Sequence, residues 1–270
     1  MAVSTKGRVA LVTGGARGIG AGIVGILSRA GAKVMIADIG VGSSEHANWR
    51  YALADAADLD RSLAQGDNIQ ATVVDVTCAD SCAAAVAATL DAFGGIDILV
   101  NNAGVVDSGP LAQFSTEAWE RIFAVNAKGI FLMTQAALPA LRSSPQASIV
   151  NTASIAGKQG YANMTAYCGS KFAAIGITQA MAAELAPDNI TVNAICPGMV
   201  GTAMWLDHLL VTNATSATQR TEEFEAAMRD TIPLGRPQSA QDMGEAVLYL
   251  VSAPNVTGIA LNVAGGFEMH

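Results

Sequence analysis

Seven short runs rich in Val and Ile punctuate the 270-residue chain: Arg8 to Thr13, Lys33 to Asp38, Ile69 to Asp75, Ile96 to Asn101, Ser148 to Thr152, Ile190 to Cys196 and Ile259 to Val263. Each is largely apolar rather than alternating, the pattern of strands buried on both faces. Helical patterns lie between them, among them Ser81 to Phe93, Thr116 to Leu141, Tyr167 to Leu185 and Ala240 to Val251. Strand and helix in alternation predict an α/β fold, a doubly wound, seven-stranded parallel sheet with right-handed crossovers and helices on both faces. Ligands in such sheets bind beyond the carboxyl ends of the strands. That rule brings Thr13, Asp38, Asp75, Asn101, Thr152 and Cys196 to the rim of one crevice.

No linker or low-complexity stretch divides residues 1–270, so one domain is expected. The hydrophobic fraction of 51% and mean hydropathy of +0.36 raise the question of a membrane. No run of about 18 uncharged apolar residues occurs, however, and a buried parallel sheet accounts for the apolarity. The opening MAVSTKGRVALVTGG lacks the regions of a signal peptide, and the expectation is a cytoplasmic protein. A net charge of −8 without a basic stripe argues against nucleic acid as a partner. Cys78, Cys82, Cys168 and Cys196 lack metal-ligand spacing and read as reduced thiols, while His46, His208 and His270 are too dispersed for a metal cluster.

The first strand runs directly into Gly14, Gly15, Ala16, Arg17, Gly18, Ile19 and Gly20, which open a helix. Backbone amides and a helix N-terminus in this setting can face a pyrophosphate, and the glycines let the backbone approach it. Asp38 ends the second strand eighteen residues after Gly20. A carboxylate there can accept from both hydroxyls of an adenosine ribose and repels a 2′-phosphate, which favours NAD over NADP. Arg17 has two readings, a solvated charge or a cation within reach of such a phosphate.

Tyr167 and Lys171 stand four residues apart on a predicted helix, which puts phenol and ammonium on one face. A free tyrosine with a pKa near ~10 is a poor base at neutral pH, and an adjacent cation favours its phenolate. Ser154 lies thirteen residues before the tyrosine. This set, with Asn126, the NNAG run at 101–104 and the glycine turn, resembles the short-chain dehydrogenase/reductase family from about residue 6 to the C-terminus. The resemblance implies a Rossmann-type domain and an oxidoreductase that passes a hydride between NAD(H) and an alcohol or ketone. It implies that Tyr167 acts as general acid/base, that Ser154 stabilises the developing alkoxide, and that Lys171 holds the nicotinamide ribose and lowers the pKa of Tyr167. Asn126 would hold a water of the proton relay; its other reading is a satisfied buried amide.

The same resemblance assigns Asp75 and Val76 to the adenine, although a strand-terminal carboxylate explains Asp75 equally well. Asn102, Ala103 and Gly104 are assigned to the ribose region, and Pro197, Gly198, Val200 and Thr202 to the carboxamide. Asn101 is expected to tie neighbouring strands together. Met199 to about Pro237 would form a lid over the active site, with a helix at Glu222 to Asp230. Trp205, within TAMW at 202–205, and the C-terminal LNVAGGFEMH resemble NAD-dependent dehydrogenases of polyols, acetoin and other secondary alcohols. Core packing is the other reading of Trp205. Tyr161, Asn163 and Met164 are expected on the opposite wall, and Glu268 or His270 either reach a neighbouring subunit or form a solvated tail. The long connection at 40–66, with Trp49, Arg50 and Tyr51, reads as a flap, a contact or a simple insertion. The helix from Tyr167 carries Gly169, Ala173, Ala174 and Gly176, and the resemblance pairs it with its mate in a homotetramer, a dimer being the lesser alternative. Two other functions stay open: an NADPH-dependent 3-oxoacyl-thioester reductase, which Asp38 opposes, and a non-catalytic nucleotide-binding protein of the same fold.

Overall fold

The computed structural model describes residues 5–40, 53–209 and 214–270. Its elements run β1 (Val9–Thr13), α1 (Gly18–Arg29), β2 (Lys33–Asp38), α2 (Ala56–Leu63), β3 (Ile69–Val73), α3 (Ala79–Phe93), β4 (Ile98–Asn101), α4 (Thr116–Phe123), α5 (Gly129–Arg142), β5 (Ser148–Thr152), α6 (Thr165–Leu185), β6 (Thr191–Pro197), α7 (Ala217–Thr231), α8 (Ala240–Ser252) and β7 (Ala260–Val263). The strands form one seven-stranded sheet in the order β3-β2-β1-β4-β5-β6-β7. Every pairing is parallel. The chain winds outward from β1 to β3, then returns to place β4 on the other side of β1, and the crevice opens where that order reverses.

The two-residue repeat of the strands divides the core between two faces. Leu11, Met35, Leu99, Ile149 and Val192 point one way, onto Cys82 and Ala85 of α3, Met133 and Leu141 of α5, and Leu185 of α6. Their neighbours Val12, Ile36, Val100, Val150 and Ile195 point the other way, onto Ile23 and Leu27 of α1 and Met243, Val247 and Leu250 of α8. Thus runs that are apolar throughout become strands covered on both faces.

Several boundaries differ from the sequence reading. The third strand stops at Val73, which leaves Asp75 in the following turn, where its Oδ1 accepts from the amide and hydroxyl of Thr77. The sixth strand extends to Pro197, and its first residue is Thr191. The helix expected from Thr116 to Leu141 is interrupted by a π-helical turn, Ala124–Lys128, at the position of Asn126. Thr116–Arg142 as a whole is long and apolar enough to cross a membrane by length and composition, and half of its apolar window is buried here. The lid helix is longer than Glu222 to Asp230, beginning at Ala217 behind the cap Ser216 and ending at Thr231. Trp49, Arg50, Tyr51 and His46 lie outside the described residues. Among the described residues, no cluster of three or more His, Cys, Asp or Glu side chains is arranged to hold a metal.

Candidate active site

Strand β1 ends in a turn that only glycine can build. Gly14 has φ +64°, and a Cβ on Gly20 would lie 2.0 Å from the carbonyl oxygen of Gly14. The helix that follows begins without a side-chain cap, since its N-cap Arg17 makes no side-chain bond to it, so the first turn of α1 meets the crevice with its backbone amides. The turn is pinned from behind, where Ser62 Oγ donates to the Gly15 carbonyl and Gln65 Nε2 to the Ala21 carbonyl. Asp38 closes the next strand as a buried carboxylate. Its Oδ2 accepts from the Ala16 amide at 3.1 Å and its Oδ1 from the Gly40 amide at 3.0 Å, leaving lone pairs on both oxygens.

The other strand ends are fastened to this turn. Thr13 Oγ1 accepts from the amides of Asn102 and Ala103, and Asn102 Nδ2 donates to the carbonyls of Thr13 and Gly14. Beneath them, Asn101 Nδ2 donates to Thr134 Oγ1 and to Asn151 Oδ1 in the neighbouring strand, and Asn151 Nδ2 donates to Thr178 Oγ1 in α6. Asn101 therefore ties strands together, as expected.

Because α6 begins at Thr165, Tyr167 sits in its first turn, with Lys171 one turn later. Both side chains are buried, and Lys171 Nζ lies 5.7 Å from the centroid of the Tyr167 ring. The ammonium donates to the Thr152 carbonyl at the end of β5. Burial pushes its pKa down from 10.5 to about 8, only weakly opposed by Cys196. The shift leaves Lys171 mainly protonated at neutral pH but close to titration. Ser154 follows β5 directly, and its Oγ accepts from the Ala156 amide at 3.0 Å. Burial raises the thiol of Cys196 to about 11, which makes it an inert neighbour.

One cavity of about 700 Å³ joins these parts. Its wall contains Gly14, Arg17, Gly18, Ile19 and Gly20 from the turn, then Asp38, Asp75, Val76, Asn102, Ala103 and Gly104. Ser154, Tyr161, Tyr167 and Lys171 line its centre, and Pro197, Gly198, Val200, Thr202 and Trp205 its far side. Asn126 is not in the wall. Its Oδ1 accepts from the Val105 amide, and its Nδ2 donates to the Val105 carbonyl and to Ser170 Oγ. The side chain thus matches the buried-amide reading.

Asn163 also differs from expectation. It turns the chain with φ +64° and is absent from the cavity wall, whereas Met164 beside it lines the cavity. Trp205 lines the cavity, and its ring packs 5.8 Å from that of Phe224, as the packing reading expects. Glu268 and His270 do not line the cavity; their carbonyls accept from Asn262 Nδ2. Arg121, Ile155, Ala156, Met204 and Leu209 line the cavity without having been singled out in the sequence. Tertiary packing alone brings them there, although the position of Ile155 and Ala156 directly after Ser154 was a usable signal.

A family model described as short chain dehydrogenase matches residues 8–208. The chain belongs to the short-chain dehydrogenase family. It is an oxidoreductase of that family, with the fold that binds a nicotinamide nucleotide. Among its relatives, a 3-oxoacyl-[acyl-carrier-protein] reductase of Vibrio cholerae is 36% identical, over 99% of this chain and 100% of its own. A galactitol 2-dehydrogenase of Agrobacterium fabrum is 37% identical over 96% of each chain. The solved structure of a carveol dehydrogenase from Mycobacterium avium in complex with NAD superposes with a TM-score of 0.86 at 30% identity, covering 97% of this chain and 98% of its own. Within the family these relatives span alcohol, polyol and acyl-thioester chemistry.

The residues of the crevice fit a dinucleotide. The glycine turn is a cradle that a Cβ would fill, the N-terminus of α1 has no side-chain cap, and Asp38 at the end of β2 is a carboxylate with lone pairs to spare.

Proposed function

We propose that this dehydrogenase interconverts a secondary alcohol and its ketone with NAD(H), polyols being one branch of that substrate class, and that Tyr167 carries the proton. The observation that carries the reading is the convergence of Ser154, Tyr167 and Lys171 on the cavity that also contains the glycine turn and Asp38. When bound, NAD supplies the hydride acceptor for the carbinol carbon. Tyr167 then takes the hydroxyl proton in oxidation and returns it in reduction. Ser154 donates to the substrate oxygen as negative charge grows there. Lys171, held by the Thr152 carbonyl, keeps a positive charge beside the phenol and offers its remaining protons to the nicotinamide ribose. Gly14 to Gly20 would hold the pyrophosphate and Asp38 the adenosine ribose, while Asp75, Val76, Asn102, Ala103 and Gly104 line the adenosine side. Pro197, Gly198, Val200 and Thr202 would hold the carboxamide.

Asp38 supports NAD over NADP, because a 2′-phosphate would meet a buried carboxylate. Among the relatives, the carveol dehydrogenase is described in complex with NAD. The competing reading, a thioester reductase using NADPH, draws on the V. cholerae relative and on the presence of Arg17 in the cavity wall. The test is reduction of NAD and of NADP with secondary alcohols, polyols and 3-hydroxyacyl thioesters, repeated on Asp38→Ser. The expected result is turnover of alcohols with NAD, and a ratio of NAD to NADP kcat/KM that falls at least tenfold in the variant. Turnover confined to thioesters with NADP would overturn the reading. We further propose a cytoplasmic homotetramer in which the exposed rings of Trp119, Phe131 and Phe172 on α4, α5 and α6 meet a second copy.

A further inference from the structure

The substrate end of the cavity is built by two segments, residues 155–164 after Ser154 and residues 199–209 after β6. Their apolar contributions to the wall include Ile155, Ala156, Met164, Met199, Met204 and Trp205, and Thr202 and Tyr161 add a hydroxyl-bearing side chain each. Other polar groups on these segments are engaged elsewhere. Lys158 Nζ donates to the Ala260 carbonyl on β7, and Asp207 is exposed, 3.5 Å from Arg220. Tyr161 lines the wall, and its buried hydroxyl, which has no hydrogen-bond partner among the described residues, is one of the few polar groups there. The cations that do line the cavity are Arg17 in the glycine turn, Arg121 in α4 and Lys171 at the reacting centre, and none belongs to these two segments.

Such a wall offers dispersion and desolvation but few partners for a second hydroxyl, a carboxylate or a phosphate. Each unmatched hydroxyl brought into it lowers affinity on the order of tenfold or more. We infer that the substrate is an uncharged secondary alcohol with a hydrocarbon body, its reacting hydroxyl held by Ser154 and Tyr167 and the rest of it packed against the methionines and Trp205. This inference rests on the alcohol-oxidising reading above and narrows it, excluding polyols as the preferred substrates. In the reaction the carbinol C–H bond breaks with its electron pair passing to NAD, the O–H proton passes to Tyr167, and a ketone remains. Each added methylene then contributes transfer free energy to the bound state until the walls are filled.

The test measures kcat/KM with NAD for a series of linear 2-alkanols and cyclohexanol, beside sorbitol, galactitol and a 3-hydroxybutyryl thioester. The expected result is an increase of about fourfold per added methylene over the shorter alkanols. Polyols and the thioester are expected at least a hundredfold lower. In Met164→Gln, which keeps the length of the side chain but adds an amide, kcat/KM for the hydrocarbon alcohols falls roughly tenfold. NAD affinity by calorimetry stays unchanged. A readout without turnover is calorimetric binding of cyclohexanone to the nucleotide-loaded protein, where a negative heat-capacity change is expected and a change near zero contradicts the inference. Best turnover of a polyol or thioester that is abolished by Tyr167→Phe overturns the inference and leaves the alcohol dehydrogenase chemistry standing. Absence of turnover for every alcohol with both nucleotides overturns the two together.

Discussion

At the scale of single residues, Lys171 shows how function and stability pull apart. Its burial holds the ammonium at a pKa of about 8, against 10.5 in the unfolded chain. At about 1.4 kcal/mol per unit, the charged form costs the native state roughly 3 kcal/mol at neutral pH. Between pH 8 and 10.5 the unfolded chain binds more protons than the native one, so this group makes stability rise with pH across that window and leaves it flat below. Thermal unfolding without nucleotide, followed from pH 7 to 10.5, should show the rise in the wild type and lose it in Lys171→Met. Identical slopes in the two proteins would mean that Lys171 is not desolvated as described. Tyr167 and Lys171 were legible from their spacing. The partners that orient them, the Thr152 carbonyl for Lys171 and the Val105 backbone and Ser170 for Asn126, were not, because they lie distant in sequence and meet only through the sheet.

Elements carry the next level of constraint. The turn between β1 and α1 leaves no space for a side chain at Gly20, and Gly20→Ala should cost at least ~1–3 kcal/mol of stability by overpacking and lower nucleotide affinity more than tenfold. Unfolding in urea and calorimetric titration with NAD check the two effects separately. The network joining β4, β5, α5 and α6 behaves differently. Asn151→Ala removes one of the two partners of Asn101 Nδ2 and the donor to Thr178 Oγ1, and should cost about 2–3 kcal/mol while leaving nucleotide affinity within a few-fold. An affinity loss as large as that of Gly20→Ala would place the network in the binding site rather than under it. The strands were readable because each is a short apolar run, and the doubly wound order followed from their alternation with helices. The π-helical turn at Ala124–Lys128 was not readable, since its sequence keeps the helical pattern on both sides and only the fit of Asn126 against Val105 marks the break. Strand ends were misjudged where polar residues such as Asp75 follow an apolar run without a glycine or proline to stop it.

For the whole molecule, the apolar rings at the surface argue for assembly. Trp119 stacks on Phe123 at 4.7 Å, and Phe131 on α5 and Phe172 on α6 are about half exposed. Sedimentation should give about four times the 27.5 kDa chain, and Phe172→Glu should shift the species toward smaller assemblies. A wild-type mass of one chain would refute the assembly. The overall architecture, the crevice and the motif residues in its wall were legible from ordered motifs, whereas the apolar character of the substrate end emerged only when residues 155–164 and 199–209 were seen together. The central claim is that Tyr167 carries the proton of a hydride transfer within an intact nucleotide site. Its most direct measurement follows NADH formation from a secondary alcohol by wild type and Tyr167→Phe, with NAD affinity determined in parallel on the same preparations. The account predicts that the variant loses at least a hundredfold in kcat and binds NAD within a few-fold of wild type. Turnover that survives the loss of the hydroxyl would contradict it.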